Sequence, residues 1–253
     1  MLTGVHNFRD AGGYAATSGV VRRNVLFRSA RLAAATPEDE AVLHGLGIAT
    51  IVDLRRGAER DAHPNCAWTA SSTTITSDLG GHADPWGEFL RGGEPSGPGV
   101  RAYVLGFYRA MPFEDRHVDL FSRYFVALAE AEAPVLVHCT AGKDRTGMAI
   151  ALTHALLGVA KADMLADYLR TNEQWSYASF GAAVAETIRA QIGRPIDPEG
   201  VRAAMEVDAA YLDAAFATIE ARAGSIDAYL ETVLGVSAGQ RARIQARLIE
   251  PRG

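Results

Sequence analysis

One run of ten residues constrains this chain more than any other: His138-Cys139-Thr140-Ala141-Gly142-Lys143-Asp144-Arg145-Thr146-Gly147. It follows the apolar stretch Pro134-Val135-Leu136-Val137 and precedes Met148, Ile150, Ala151 and Leu152. That pattern predicts a buried strand, a turn at Gly142 and a helix opening at Arg145. In such a strand-loop-helix unit successive backbone N–H groups face inward, and the helix N-terminus adds roughly half a positive charge. An oxyanion is held there without a metal or a cofactor, and phosphate is the natural guest. The expected cradle is Thr140, Ala141, Gly142, Lys143, Asp144 and Arg145.

A cysteine at the mouth of that cradle is favoured as the thiolate, which is the nucleophilic form. Arg145 lies six residues after Cys139, and its planar guanidinium can curl back to give two hydrogen bonds to a phosphoryl group, which a lysine could not reproduce. Attacker and clamp therefore come from one short loop. Cys66, the only other cysteine, has Ser72 six residues on and reads as a bland free thiol. Two unpaired cysteines give no disulfide framework and no zinc-type spacing.

The rest of the chain reads as α/β. Val25 to Ser29, Ile48 to Leu54, a weaker run at Thr73–Ile75 and Pro134 to His138 are strand candidates. Between the first two, Thr36-Pro37-Glu38-Asp39 offers an N-cap, a first-turn proline and a capping acid, with Gly47 as the stop. The order predicts a small, mostly parallel central sheet flanked by helices. Residues 77–99, rich in Gly, Pro and Asp, read as a long surface excursion. With the amphipathic stretch 101–110 it suggests a helical or loop lid around 77–112. Further helical patterns cover 114–130, 145–157 and the third of the chain after Lys161. No linker or repeat divides residues 1–253, so one domain is expected.

Charge narrows the partners. A net charge of -5 argues against a nucleic-acid binder. No stretch reaches membrane-spanning length and no secretory leader is evident, so the expected location is cytoplasmic, or outside the cell by another route. Of 25 Lys plus Arg, lysine occurs only at 143 and 161. Lys143 is thus an unusual choice: a flexible ammonium beside the cradle, or simply a solvated surface lysine.

His138-Cys139, five intervening residues and Arg145-Thr146-Gly147 resemble the signature loop of the protein-tyrosine phosphatase superfamily. The fuller loop, with Asn7-Phe8-Arg9-Asp10, Val52-Asp53-Leu54-Arg55 and Asp167-Tyr168-Leu169-Arg170-Thr171-Asn172, resembles its atypical bacterial tyrosine and dual-specificity branch. These motifs span about two thirds of the chain by the usual standard for motif matches. The resemblance implies a cysteine-phosphatase-like fold. It also implies hydrolysis of phosphate monoesters through a phosphocysteine intermediate, and a phosphotyrosine protein or peptide as substrate.

It further implies a proton donor for the leaving oxygen. Asp144, inside the loop, is the first choice for it, against the plainer reading of a carboxylate that favours the helix N-terminus. Asp78 is second and Asp84 third. His138 supports the thiolate from behind or is a core histidine. Thr146 bonds the sulfur or caps the helix. Arg9 and Asp10 brace the loop or form an ordinary ion pair, and Arg55 is open in the same way. A basic residue inside the loop is associated in the superfamily with phosphoinositide hydrolysis, so an inositol-lipid headgroup is the alternative substrate. Tyr103, Phe107 and Tyr108 recur at helical spacing and read as packing residues beside a lid. Sulfur transfer and a catalytically silent phospho-ligand module are the competing functions. The Arg145-Thr146-Gly147 continuation speaks against the first, and the presence of both nucleophile and clamp against the second.

Overall fold

The computed structural model describes residues 2–251. Its strands are β1 (Arg9–Asp10), β2 (Ala15–Ala16), β3 (Gly19–Val21), β4 (Leu26–Ser29), β5 (Thr50–Asp53), β6 (Thr73–Ile75), β7 (Val135–His138) and β8 (Ile249–Pro251). The helices are α1 (Pro37–Gly45), α2 (Gly57–Ala62), α3 (Pro85–Gly92), α4 (Gly97–Ala110), α5 (Asp115–Glu130), α6 (Asp144–Leu156), α7 (Lys161–Leu169), α8 (Thr171–Gln174), α9 (Tyr177–Ile192), α10 (Pro198–Met205), α11 (Ala209–Ala223), α12 (Ile226–Thr232) and α13 (Ala238–Leu248). Among the described residues no helix is long and apolar enough to cross a membrane.

The central sheet has the order β1-β4-β7-β5-β6, parallel from β4 to β6 with β1 antiparallel at one edge. This is the mostly parallel α/β sheet that the strand pattern predicts. The interior strands are buried on both faces, since helices cover both. Register shows the two faces separately: Phe27, Leu136 and Ile51 align across three strands and pack with Leu43, Leu32 and Trp68. Leu26, Val135, Val137 and Val52 face the larger core built with α5, α6 and the C-terminal helices.

Helix α1 begins as its sequence dictates. The Thr36 hydroxyl accepts from the Asp39 N–H at 3.1 Å, and the Asp39 carboxylate accepts from the Thr36 N–H at 3.1 Å, a complete capping box. The excursion at 77–99 is more ordered than its composition suggests. Asp84 accepts from the Gly87 N–H at 3.0 Å and caps α3, with Pro85 in the first turn. The amphipathic face of α3 buries Leu90 against Ile188, Val201 and Met205, so tertiary burial overrides the glycine-rich flanks. Three short strands escape the sequence pattern altogether. The antiparallel trio β2-β3-β8 ties Val21 near the start to Ile249 near the end, and its strands are too short for periodicity to reveal.

Candidate active site

The cysteine loop leaves β7 at His138 and enters α6 at Asp144. Its shape is imposed from behind. The Arg31 N–H donates to the Thr140 carbonyl at 3.1 Å. The Asn7 side-chain amide donates to the carbonyls of Ala141 at 3.2 Å and Gly142 at 2.8 Å, and Arg28 Nη2 adds a second donor to Gly142 at 2.8 Å. In a trans peptide the N–H points opposite to its C=O. With three successive carbonyls pulled toward the protein body, the N–H groups of Ala141, Gly142 and Lys143 are directed to the other side, as an anion nest requires. Gly142 makes the turn at φ +67°, and a Cβ there would lie 2.4 Å from the Ser29 carbonyl oxygen. No side chain fits.

The braces are themselves anchored. Asp167, on α7, accepts from Arg28 Nη1 at 2.7 Å and from Arg9 Nε at 3.1 Å, while Arg9 also donates to the Asn7 side-chain oxygen. All four side chains are buried. Burial alone would raise the Asp167 carboxyl, but the two guanidiniums outweigh it and hold it well below the ordinary carboxylate range. Arg9 is thus beside the loop, acting through Asn7 and Asp167. Asp10 is not. Its carboxylate accepts from the N–H groups of Gly12 at 2.7 Å and Asn24 at 2.6 Å, tying together the two ends of the segment that carries β2 and β3.

On the open side, Cys139 is only 2% exposed, at the floor of the loop. Arg145 reaches back over α2, where Nη1 and Nη2 donate to the two oxygens of Glu59 at 2.6 and 2.8 Å. Glu59 also accepts from the Thr140 hydroxyl and from the Arg56 N–H at 2.8 Å. Burial opposes the charge on Glu59, yet Arg145 and these donors hold the carboxyl far below its usual range. The result is a guanidinium gripped from outside, with its plane fixed.

Asp144 lies at the first position of α6, and its Oδ1 accepts from Lys143 Nζ at 2.9 Å and from the Tyr108 hydroxyl at 3.1 Å. Lys143 is therefore no solvated surface residue; it is 6% exposed and turned onto Asp144. Asp78 is 88% exposed at its side chain and pairs with Arg60 at 2.5 Å. Asp84 is committed to its helix cap. His138 is wholly buried, its Nδ1 3.3 Å from the Cys139 carbonyl and its Nε2 3.6 Å from Asp53; burial pushes its pKa down. Arg55 is occupied by Asp53, with contacts at 2.9 and 2.7 Å, and by Asn65, and does not reach the loop. The Thr146 hydroxyl is buried and has no partner among the described residues, so neither a bond to sulfur nor a helix cap is formed. Gly147, by contrast, is needed: a Cβ there would lie 2.9 Å from the Tyr168 ring.

Sequence reasoning missed Glu59 and Arg28. Arg28 carried a signal, a charge inside the strand candidate Val25 to Ser29 directly after three apolar residues, since a guanidinium is buried only where partners wait for it. Glu59 carried none, because acids in the first turn of an exposed helix are common.

A model of the tyrosine phosphatase family matches residues 1–250, well beyond the two thirds of the chain that the motifs cover. A Cupriavidus necator protein described as a tyrosine-protein phosphatase is 34% identical over 243 residues, covering 93% of this chain and 84% of that protein. The triple specificity protein phosphatase PtpB of Mycobacterium tuberculosis is 31% identical over 282 residues, covering 98% of each. Among solved structures, P. aeruginosa TpbA in complex with phosphotyrosine aligns over 76% of this chain and 96% of its own, at 19% identity and a TM-score of 0.33. On the strength of the family match and the two relatives, the chain belongs to the tyrosine phosphatase family of enzymes.

Proposed function

We propose that this enzyme hydrolyses phosphotyrosine in proteins and peptides through a phosphocysteine intermediate, with broad specificity toward other phosphate monoesters. One observation carries the reading: Cys139 sits in a loop whose carbonyls are drawn toward the protein body by Arg31, Asn7 and Arg28, while Arg145 is held in place by Glu59.

Cys139 Sγ attacks phosphorus in line. As the S–P bond forms the P–O bond to the tyrosyl ring breaks, and its electron pair leaves on the phenolic oxygen, which takes a proton from Asp144. The loop amides and Arg145 balance the charge of the transferring group. Water then attacks phosphorus, the S–P bond breaks with its pair returning to sulfur, and the Asp144 carboxylate accepts the proton of the water. In the same reading, the segment 77–112 covers the site: Tyr108 on α4 reaches Asp144, and Tyr103 stacks on Phe89 of α3 with centroids 4.4 Å apart.

The name of the mycobacterial relative supports breadth of substrate. The inositol-lipid alternative rests on Lys143, whose ammonium is engaged with Asp144. Release of phosphate from phosphotyrosine peptides and para-nitrophenyl phosphate, abolished by Cys139→Ser and indifferent to EDTA, is the expected result. Turnover surviving that substitution would overturn the reading. Phosphoserine, phosphothreonine and phosphoinositide substrates in the same assay define the range, and turnover of phosphotyrosine alone would refute the breadth.

A further inference from the structure

The two oxygens of Asp144 lie in unequal surroundings. Oδ1 accepts from Lys143 Nζ at 2.9 Å and from the Tyr108 hydroxyl at 3.1 Å, whereas among the described residues no donor meets Oδ2. Tyr108 is fully buried, and its oxygen lies 2.7 Å from the hydroxyl of Tyr168, also buried. Burial and the nearby Asp144 charge push both phenols well above their ordinary range, so each keeps its proton at neutral pH.

That proton count orients the chain of bonds. Each phenol has one hydrogen to donate. If Tyr108 gave its hydrogen to Tyr168, a lone pair of Tyr108 would face a lone pair of Asp144 Oδ1. With Tyr168 donating to Tyr108, the Tyr108 hydrogen points at Oδ1 and every contact is favourable. Oδ1 then carries two donors and takes the carbonyl role when the acid is protonated. The proton is left on Oδ2, the oxygen with no competing partner.

We propose that Tyr108, backed by Tyr168, is a positioning residue for the proton transfer: it fixes the rotation of the Asp144 carboxyl so that Oδ2 carries and delivers the proton to the leaving oxygen. The proposal rests on the reading of Asp144 as the general acid. It also gives the C-terminal third a part in the chemistry. Tyr108 lies on α4, which packs against α10 and α11, and its ring sits 5.5 Å from that of Tyr211 on α11. The acid is therefore aligned by helices remote in sequence from the cysteine loop.

Tyr108→Phe removes one oxygen and keeps the ring, and Tyr168→Phe removes the backing bond alone. Each is compared with wild type and Asp144→Asn on a series of aryl phosphates, reading kcat/KM, which reports the step in which the leaving group departs. For Tyr108→Phe the expected loss is about tenfold on phosphotyrosine and phenyl phosphate but within about twofold on dinitrophenyl phosphate, whose anion leaves without a proton. Tyr168→Phe should show the same dependence more weakly, and Asp144→Asn more strongly. An equal loss across the series in Tyr108→Phe, or no loss, would overturn the proposal while a leaving-group dependence in Asp144→Asn left the acid assignment standing. A flat response in Asp144→Asn would remove the acid assignment, and the proposal with it. Urea midpoints of the variants separate a folding defect from either outcome.

Discussion

Arg28 and Asp167, 139 residues apart in the chain, meet at 2.7 Å in the interior, and the same guanidinium donates to the carbonyl of Gly142 at the turn of the cysteine loop. A charge pair of this kind is justified less by net stability than by what it holds in place. Removing one partner strands the other.

Asp167→Ala leaves Arg9 and Arg28 buried without their carboxylate. Stability should fall by about 3–5 kcal/mol, the range for breaking a buried pair from one side. Urea unfolding measures it, and an effect within error of zero would contradict the bracing role. Phosphatase activity should fall in any fraction that remains folded, because the loop carbonyls lose their anchor.

Acid should destabilise the protein through the same groups. Asp167 and Glu59 have folded-state pKa values held far below those of an unfolded chain. Such carboxylates add stability that is fully present above the unfolded value of about 4 and is lost as pH falls below it. Stability against pH should therefore be steep below about pH 4 in the wild type and flatter in Asp167→Asn. Parallel curves would count against the linkage.

Glu59→Gln keeps the shape of the side chain and removes its charge. Hydrogen bonds to charged groups contribute about 1.5–3 kcal/mol, so kcat/KM should drop roughly 10- to 100-fold. Inhibition by vanadate should weaken in parallel, since Arg145 would no longer be locked for an oxyanion. A normal vanadate affinity would show that Arg145 needs no such grip.

Gly142→Ala should destabilise the chain by about 1–3 kcal/mol and abolish turnover of para-nitrophenyl phosphate, because both φ and the Ser29 backbone oppose a Cβ. Gly147→Ala meets the edge of the Tyr168 ring instead, and a side chain can yield more than backbone. Its melting temperature should lie between those of wild type and Gly142→Ala.

Asp78→Asn should change kcat/KM by less than about twofold, since its partner is an arginine across an exposed ion pair. The acidic limb of the pH-rate profile should persist in Asp78→Asn and be altered in Asp144→Asn. Loss of that limb in Asp78→Asn would move the acid out of the loop.

Much of this was written in local sequence. The buried strand Val135–His138, the glycine turn and the helix after it follow from apolar runs and one residue that tolerates positive φ. The capping box of α1 follows from Thr36 and Asp39 three residues apart. The parallel sheet follows from strands that alternate with helical patterns. Helix α3 was hidden because glycine-rich flanks read as a loop; its Asp84 cap is local, but its burial against α9 and α10 is tertiary.

The roles of single polar residues divided differently. Arg9 and Asp10 are neighbours in one motif, yet as successive residues of β1, paired to β4, they point to opposite faces, which sends Arg9 into the interior beside the loop and leaves Asp10 to backbone N–H groups away from it. Lys143 stood out by its rarity, but only the packed structure buries it and turns its ammonium onto Asp144. Sequence by itself determined the cysteine loop and the sheet that presents it, because strand, turn and helix propensities act over a few residues. Which side chains grip that loop was decided only by the tertiary structure. Asn7, Arg28, Glu59, Tyr108 and Asp167 come from five distant segments, and a buried charge or hydroxyl acquires its role from whatever partner the packed core brings within hydrogen-bond reach.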